Sequence, residues 1–160
     1  MKKTLYFVLS VILLTHTACF KDPEVLYSGP AVVEFNAAIV AGAPVSFPTI
    51  NVNNGAGDIF ARVNLVGEQR PNDVTILYRV DPTRTTAVEG THYQLLNKVG
   101  SNGSFVIPAN RSTAECGVRI LQSAPSPGNA VLLVLELLGT EDGSIKASEN
   151  YKRLTYRIML

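Results

Sequence analysis

Residues 74–93 read VTILYRVDPTRTTAVEGTHY, and the first seven positions set the fold class. Val74, Ile76, Tyr78 and Val80 alternate with Thr75, Leu77 and Arg79. A period of two puts the first set on one face of a strand and the second on the other, the pattern of a sheet buried on one side. Asp81-Pro82 then ends the strand, because proline has no N–H for a ladder and aspartate bonds readily to its own following backbone.

The same period recurs in both directions. Upstream, in DIFARVNLVG (58–67), Ile59, Ala61, Val63 and Leu65 oppose Phe60, Arg62 and Asn64. Downstream, TAECGVRIL (113–121) sets Ala114, Cys116, Val118 and Ile120 on one face. At the end, KRLTYRIML (152–160) opposes Leu154, Tyr156, Ile158 and Leu160 to Arg153, Thr155, Arg157 and Met159, so the final segment is an integral strand. AVLLVLELLG (130–139) is apolar on both faces apart from Glu136. Its length and its brackets, Pro127-Gly128-Asn129 and Gly139, mark a central strand covered on both sides. PAVVEFNAA (30–38) and GSFVIPAN (103–110) add two more, and SFPTINV (46–52), broken by Pro48, belongs at an edge.

Turn residues separate these runs at Asn53-Asn54-Gly55, Pro71-Asn72-Asp73, Ser101-Asn102-Gly103 and Glu141-Asp142-Gly143. The expectation is an all-β chain, an antiparallel Ig-like sandwich of about seven or eight strands, with residues 31–160 forming one domain.

Within that frame the chain resembles the Calx-beta family over roughly residues 58–138. The family's A-x-x-G-x-D-Y corner is matched by Ala87, Gly90 and Tyr93, and its I-P-A-G turn by Ile107-Pro108-Ala109. The resemblance implies a Calx-beta-type sandwich, and, by analogy with the sodium–calcium exchanger, calcium held by clustered acids at one end. This chain departs from the pattern where calcium would sit. His92 stands at the corner's aspartate, Leu121-Gln122-Ser123 at the paired aspartates, and residues 122–135 contain no acid. Asp81 and Glu89 remain, too few for a cation that takes six to eight oxygens. No metal and no cofactor is expected.

The start of the chain carries an address. Met1-Lys2-Lys3 is a short basic region, and Leu5 to Leu14 is an almost uninterrupted apolar run, too short for the ~20 residues of a permanent span. Thr17-Ala18-Cys19 then resembles the lipobox of bacterial lipoproteins, with His16 where that motif usually has leucine. On this reading residues 1–18 are a signal peptide and Cys19 is the lipidation site, its acyl chains anchoring the protein in membrane lipid. Residues 19–30 form the anchor and a flexible tether, and the acidic Phe20-Lys21-Asp22-Pro23-Glu24 is similar to export signals of Bacteroidetes surface lipoproteins. The expected location is the outer membrane, facing the cell surface. Signal, lipobox and corner together resemble Bacteroidetes lipoproteins encoded near SusC/SusD-type nutrient importers, which implies such a complex as a partner.

Charge and motif content exclude several classes. Two lysines leave with residues 1–18, so 12 Lys+Arg face 13 Asp+Glu in the remaining 142 residues, a balance of −1. No basic run exceeds Lys152-Arg153, so nucleic acid is not an expected partner. Cys116 is alone in the mature domain and lies in an apolar pattern, which makes it an inert core thiol. His92 is the one histidine beyond residue 18 and supplies neither a zinc set nor a Ser–His–Asp site; its expected role is bonding nearby backbone. Glu141-Asp142 beside Gly143 is turn composition. A glycan platform would have to come from Phe60, Tyr93, Phe105 or Tyr151, since there is no tryptophan and Tyr78 and Tyr156 fall on core faces. The sequence therefore points to a non-catalytic binding or accessory component, the alternatives being a glycan-binding lipoprotein or a hydrolase of divergent motif.

Overall fold

The computed structural model describes residues 29–39 and 47–160. The signal segment, Cys19 and most of the tether lie outside the described residues. The strands, in chain order, are β1 (Val32–Phe35), β2 (Thr49–Asn53), β3 (Gly57–Val66), β4 (Val74–Val80), β5 (Tyr93–Leu95), β6 (Gly103–Ile107), β7 (Thr113–Ile120), β8 (Ala130–Gly139), β9 (Lys146–Ala147) and β10 (Arg153–Met159). A 3₁₀ turn, Asn36–Ala38, follows β1.

Two layers face each other. One is ordered β2-β10-β8-β4-β6 and the other β1-β3-β7-β5, with β9 joining the end of β8 to β1. The alternation in each strand sets its inward face. Val63 and Leu65 of β3, Cys116, Val118 and Ile120 of β7, Ile76 and Tyr78 of β4, and Leu133, Leu135 and Leu137 of β8 are all buried together. β10 contributes Leu154, Tyr156 and Ile158, opposite Leu135, Leu133 and Val131. β8, paired with β10 on one side and β4 on the other, is central as its two-sided apolar pattern requires.

The expected β-sandwich is present, with differences of detail in count and pairing. Among the described residues there are ten strands, more than the expected seven or eight, because β5 and β9 are three and two residues long, below the length at which a period shows. The sandwich is not wholly antiparallel: β2 runs parallel to β10, and β1 parallel to β9. β2 begins just after Pro48 and lies at the edge of its layer, where the missing N–H does no harm.

A buried tyrosine ties the layers through the core. The Tyr78 hydroxyl donates to the Gly117 carbonyl of the opposite layer at 2.5 Å. The Tyr78 ring lies over Gly103, its cross-strand partner, at a spot a Cβ would overlap. Burial pushes the Tyr78 phenol up, so it remains a neutral donor.

Candidate functional site

The densest group of charges surrounds Glu136, the one acid of β8. Its neighbours follow from register: Arg79 of β4 and Arg153 of β10 lie directly opposite it on either side. Arg79 donates to Glu136 Oε2 from Nε at 2.9 Å and from Nη2 at 2.7 Å. Arg153 Nη2 donates to Oε1 at 2.8 Å, and Lys152 Nζ lies 3.6 Å from the same oxygen. The side chain of Glu136 is only 4% exposed, while that of Arg79 is 51% exposed. Burial raises the Glu136 pKa, but the Arg79 hydrogen bond and the charges of Arg153, Arg79 and Lys152 outweigh it and hold the carboxyl below its usual range.

Asp81, buried where β4 ends, extends this group. Its Oδ1 accepts from the Thr83 N–H and hydroxyl at 3.0 and 2.6 Å, an Asx turn that reverses the chain after Pro82. Its Oδ2 accepts from Arg84 at 2.8 Å and lies 3.4 Å from Arg153 Nε. Burial opposes ionisation here too; hydrogen bonds from Thr83 and Arg84 prevail and bring the pKa down to about 2. The guanidinium of Arg153 also stacks on Phe47, 5.3 Å from the ring centroid.

Beside Glu136 is a hollow of about 570 Å³, bordered by Val32, Arg79, Lys146, Ser148, Glu149 and Lys152 among others. Lys152 bridges to Glu149 at 2.8 Å. Lys146 is exposed and has no ion-pair partner among the described residues.

The corner singled out by the sequence is built from backbone. Gly90 has φ 79°, a left-handed value that favours glycine. His92 Nδ1 accepts the Val88 N–H at 2.9 Å, so the ring closes its own turn. Glu89 is paired with Lys98 at 2.8 Å, and Asp81 with Arg84. Gln122-Ser123, at the family's acidic positions, meet the Asn53-Asn54-Gly55 turn instead. Asn54 Nδ2 donates to the Ser123 carbonyl at 3.0 Å, and Ser123 N–H returns a bond to Asn54 Oδ1 at 2.9 Å. Among the described residues no three His, Cys, Asp or Glu side chains are grouped to hold a metal.

Cys116 is fully buried and unpaired, and burial pushes its thiol up. Asp142 accepts from the Ser144 N–H and hydroxyl at 3.0 and 2.7 Å, closing the turn that its composition implied. Of the four aromatic candidates for a glycan platform, Tyr93 and Phe105 are buried, Tyr151 is half-buried, and Phe60 alone is exposed, over Gly117. The charge group around Glu136 is what the sequence reading missed, although Glu136 and Lys152-Arg153 were each visible as exceptions to their surroundings.

The fold has solved counterparts. The crystal structure of the apo form of the Calx CBD1 domain superposes with a TM-score of 0.57 at 15% identity, covering 82% of this chain and 97% of that one. The calcium binding domain CBD12 of CALX1.1 gives 0.52 at 17% identity over 69% of this chain, which spans 41% of that longer protein. A Bacteroides ovatus protein of unknown function gives 0.53 at 11% identity over 79% of this chain and 44% of its own. No family model matches the sequence, and no curated protein matches it. The chain is a β-sandwich with the fold of Calx-beta domains.

Proposed function

We propose that this protein is a lipid-anchored, non-catalytic sandwich that acts at the outer face of the outer membrane, as a binding or accessory component of a SusC/SusD-type complex. The observation that carries the reading is that the side chains singled out as candidate catalytic groups, His92, Cys116, Asp81 and Glu136, are each taken up in structure. His92 is bonded to its own turn, Cys116 is sealed in the core, Glu136 is bonded by Arg79 and Arg153, and Asp81 by Thr83 and Arg84. Such groups hold a surface in shape; a nucleophile or base needs a free lone pair within reach of a substrate. The likeness to a calcium binding domain comes without that domain's function here, because the corner's acids are paired to Lys98 and Arg84.

The anchor is Cys19, whose thiol takes the diacylglyceryl group. Metabolic labelling with an alkyne fatty acid is expected to mark the wild-type chain and not Cys19→Ala. Capture of the labelled protein from outer membranes is expected to bring an importer subunit with it. Labelling that survives in Cys19→Ala overturns the anchor, and capture without an outer-membrane partner overturns the accessory role.

A further inference from the structure

The hollow beside Glu136 carries more positive charge than its acids neutralise. Arg79, Lys146 and Lys152 line it, against Glu136 and Glu149. Adding the neighbouring Arg153, Asp81 and Arg84, four cations of the cluster and Lys146 meet three acids. The Glu136 oxygens are already taken by three N–H groups from Arg79 and Arg153. Glu149 holds Lys152 from the solvent side, with its own side chain 83% exposed. Lys152 is only 17% exposed and also faces Glu136, but its Glu149 partner lies out in solvent, so an anion entering the hollow can take the place of Glu149. Arg79 uses Nε and Nη2 on Glu136, which leaves Nη1 uncommitted among the described residues.

We propose that this hollow binds an oxyanion of the phosphate type, held by the ammonium groups of Lys146 and Lys152 and by Nη1 of Arg79. The residues come from three places brought together by the fold: β4, β9 and the approach to β10. Lysine and arginine donors converging on a concave surface are the ordinary means of holding such a group. Two sources can supply it: a free phosphate-type anion, or the phosphate of a lipid headgroup. The second follows from position. Val32 lines the hollow, and the thirteen residues from Cys19 to Val32 reach at most roughly 45 Å when extended. The site thus lies within tether range of the membrane. The inference deepens the binding role proposed above and gives it a ligand chemistry.

The test uses the full chain in neutral detergent, ¹⁵N-labelled, titrated with inorganic phosphate at constant ionic strength. Saturable shifts are expected at the amides of Lys146, Ala147 and Ser148. Lys146→Gln, at an exposed side chain without a partner, is expected to melt like wild type and to weaken binding about fivefold, with Lys146→Arg restoring it. Flotation of the full-length Cys19→Ala protein then separates the sources. Lysine-dependent capture by phosphatidylglycerol vesicles, with none by phosphatidylcholine, assigns a headgroup; phosphate binding without capture assigns a soluble anion. Absence of saturable shifts, or shifts that Lys146→Gln leaves unchanged, overturns the site. Loss of the anchor reading would leave the phosphate titration intact, so the two failures are distinguishable.

Discussion

The hydroxyl of Tyr78 on β4 and the carbonyl of Gly117 on β7 meet at 2.5 Å, a buried bond between the two layers. Tyr78→Phe removes that donor from a buried bond. Tyr78→Phe is therefore expected to lower stability by about 1–3 kcal/mol, the cost of an unmatched buried carbonyl. Gly103→Ala is expected to be at least as harmful, since its Cβ would overlap the Tyr78 ring and force the ring off its bond. Chemical denaturation of the two variants checks both; wild-type stability in Tyr78→Phe would mean the bond contributes nothing.

Acid is expected to attack the fold through Asp81 and Glu136. Both carboxyls are held below their ordinary range in the folded chain, Asp81 at about 2. A depressed folded pKa gives stability that is complete above the unfolded value and disappears as pH falls through the folded one. Unfolding free energy should thus be flat near neutrality and drop as pH goes from about 4 toward 2, with Asp81 contributing on the order of 2 kcal/mol. Asp81→Asn should be less stable at pH 7 and show a shallower acid slope. An identical slope in the variant would remove Asp81 from the account.

The residues that made the fold legible are those whose signal is local. Alternation placed Tyr78 and Tyr156 in the core, Pro48 placed β2 at an edge, and the unbroken apolar run placed β8 in the centre. Strand direction left no such trace, because a period of two is the same for a strand paired parallel or antiparallel, so β2 beside β10 was invisible. The charge group was illegible for a related reason. Glu136 stood out in its strand, but Arg79 lies 57 residues away and Arg153 lies 17 away, and only the register of three strands brings them together.

Calcium is expected to leave the melting midpoint where EDTA leaves it. His92 and Gln122-Ser123 occupy the acidic positions of the resemblance and are engaged with backbone and with the Asn54 turn. A ligand at 100 times its Kd would add about 2.7 kcal/mol, which thermal unfolding detects easily. A calcium-dependent rise in midpoint, abolished by EDTA, would show that oxygens outside the corner complete a site.

Deleting residues 154–160 is expected to unfold the protein. The segment is not an edge: β10 pairs with β8 on one side and with β2 on the other, so its loss strips β8 of a partner and detaches β2 from the sheet. Leu154, Tyr156 and Ile158 are all buried, and burial of an apolar side chain such as Leu or Ile contributes about 1.5–3 kcal/mol. Three such groups alone rival the stability of a typical domain, about 5–15 kcal/mol. The exposed edge of β8 would then offer a long apolar strand for pairing between molecules, so the truncated chain should aggregate rather than remain in solution. Leu160 lies beyond the strand and is only half-buried, so removing it alone should cost little by comparison. Expression, solubility and a thermal melt of the two truncations check this. A soluble product lacking 154–160 that still melts cooperatively at the wild-type midpoint would mean that the two layers close without β10.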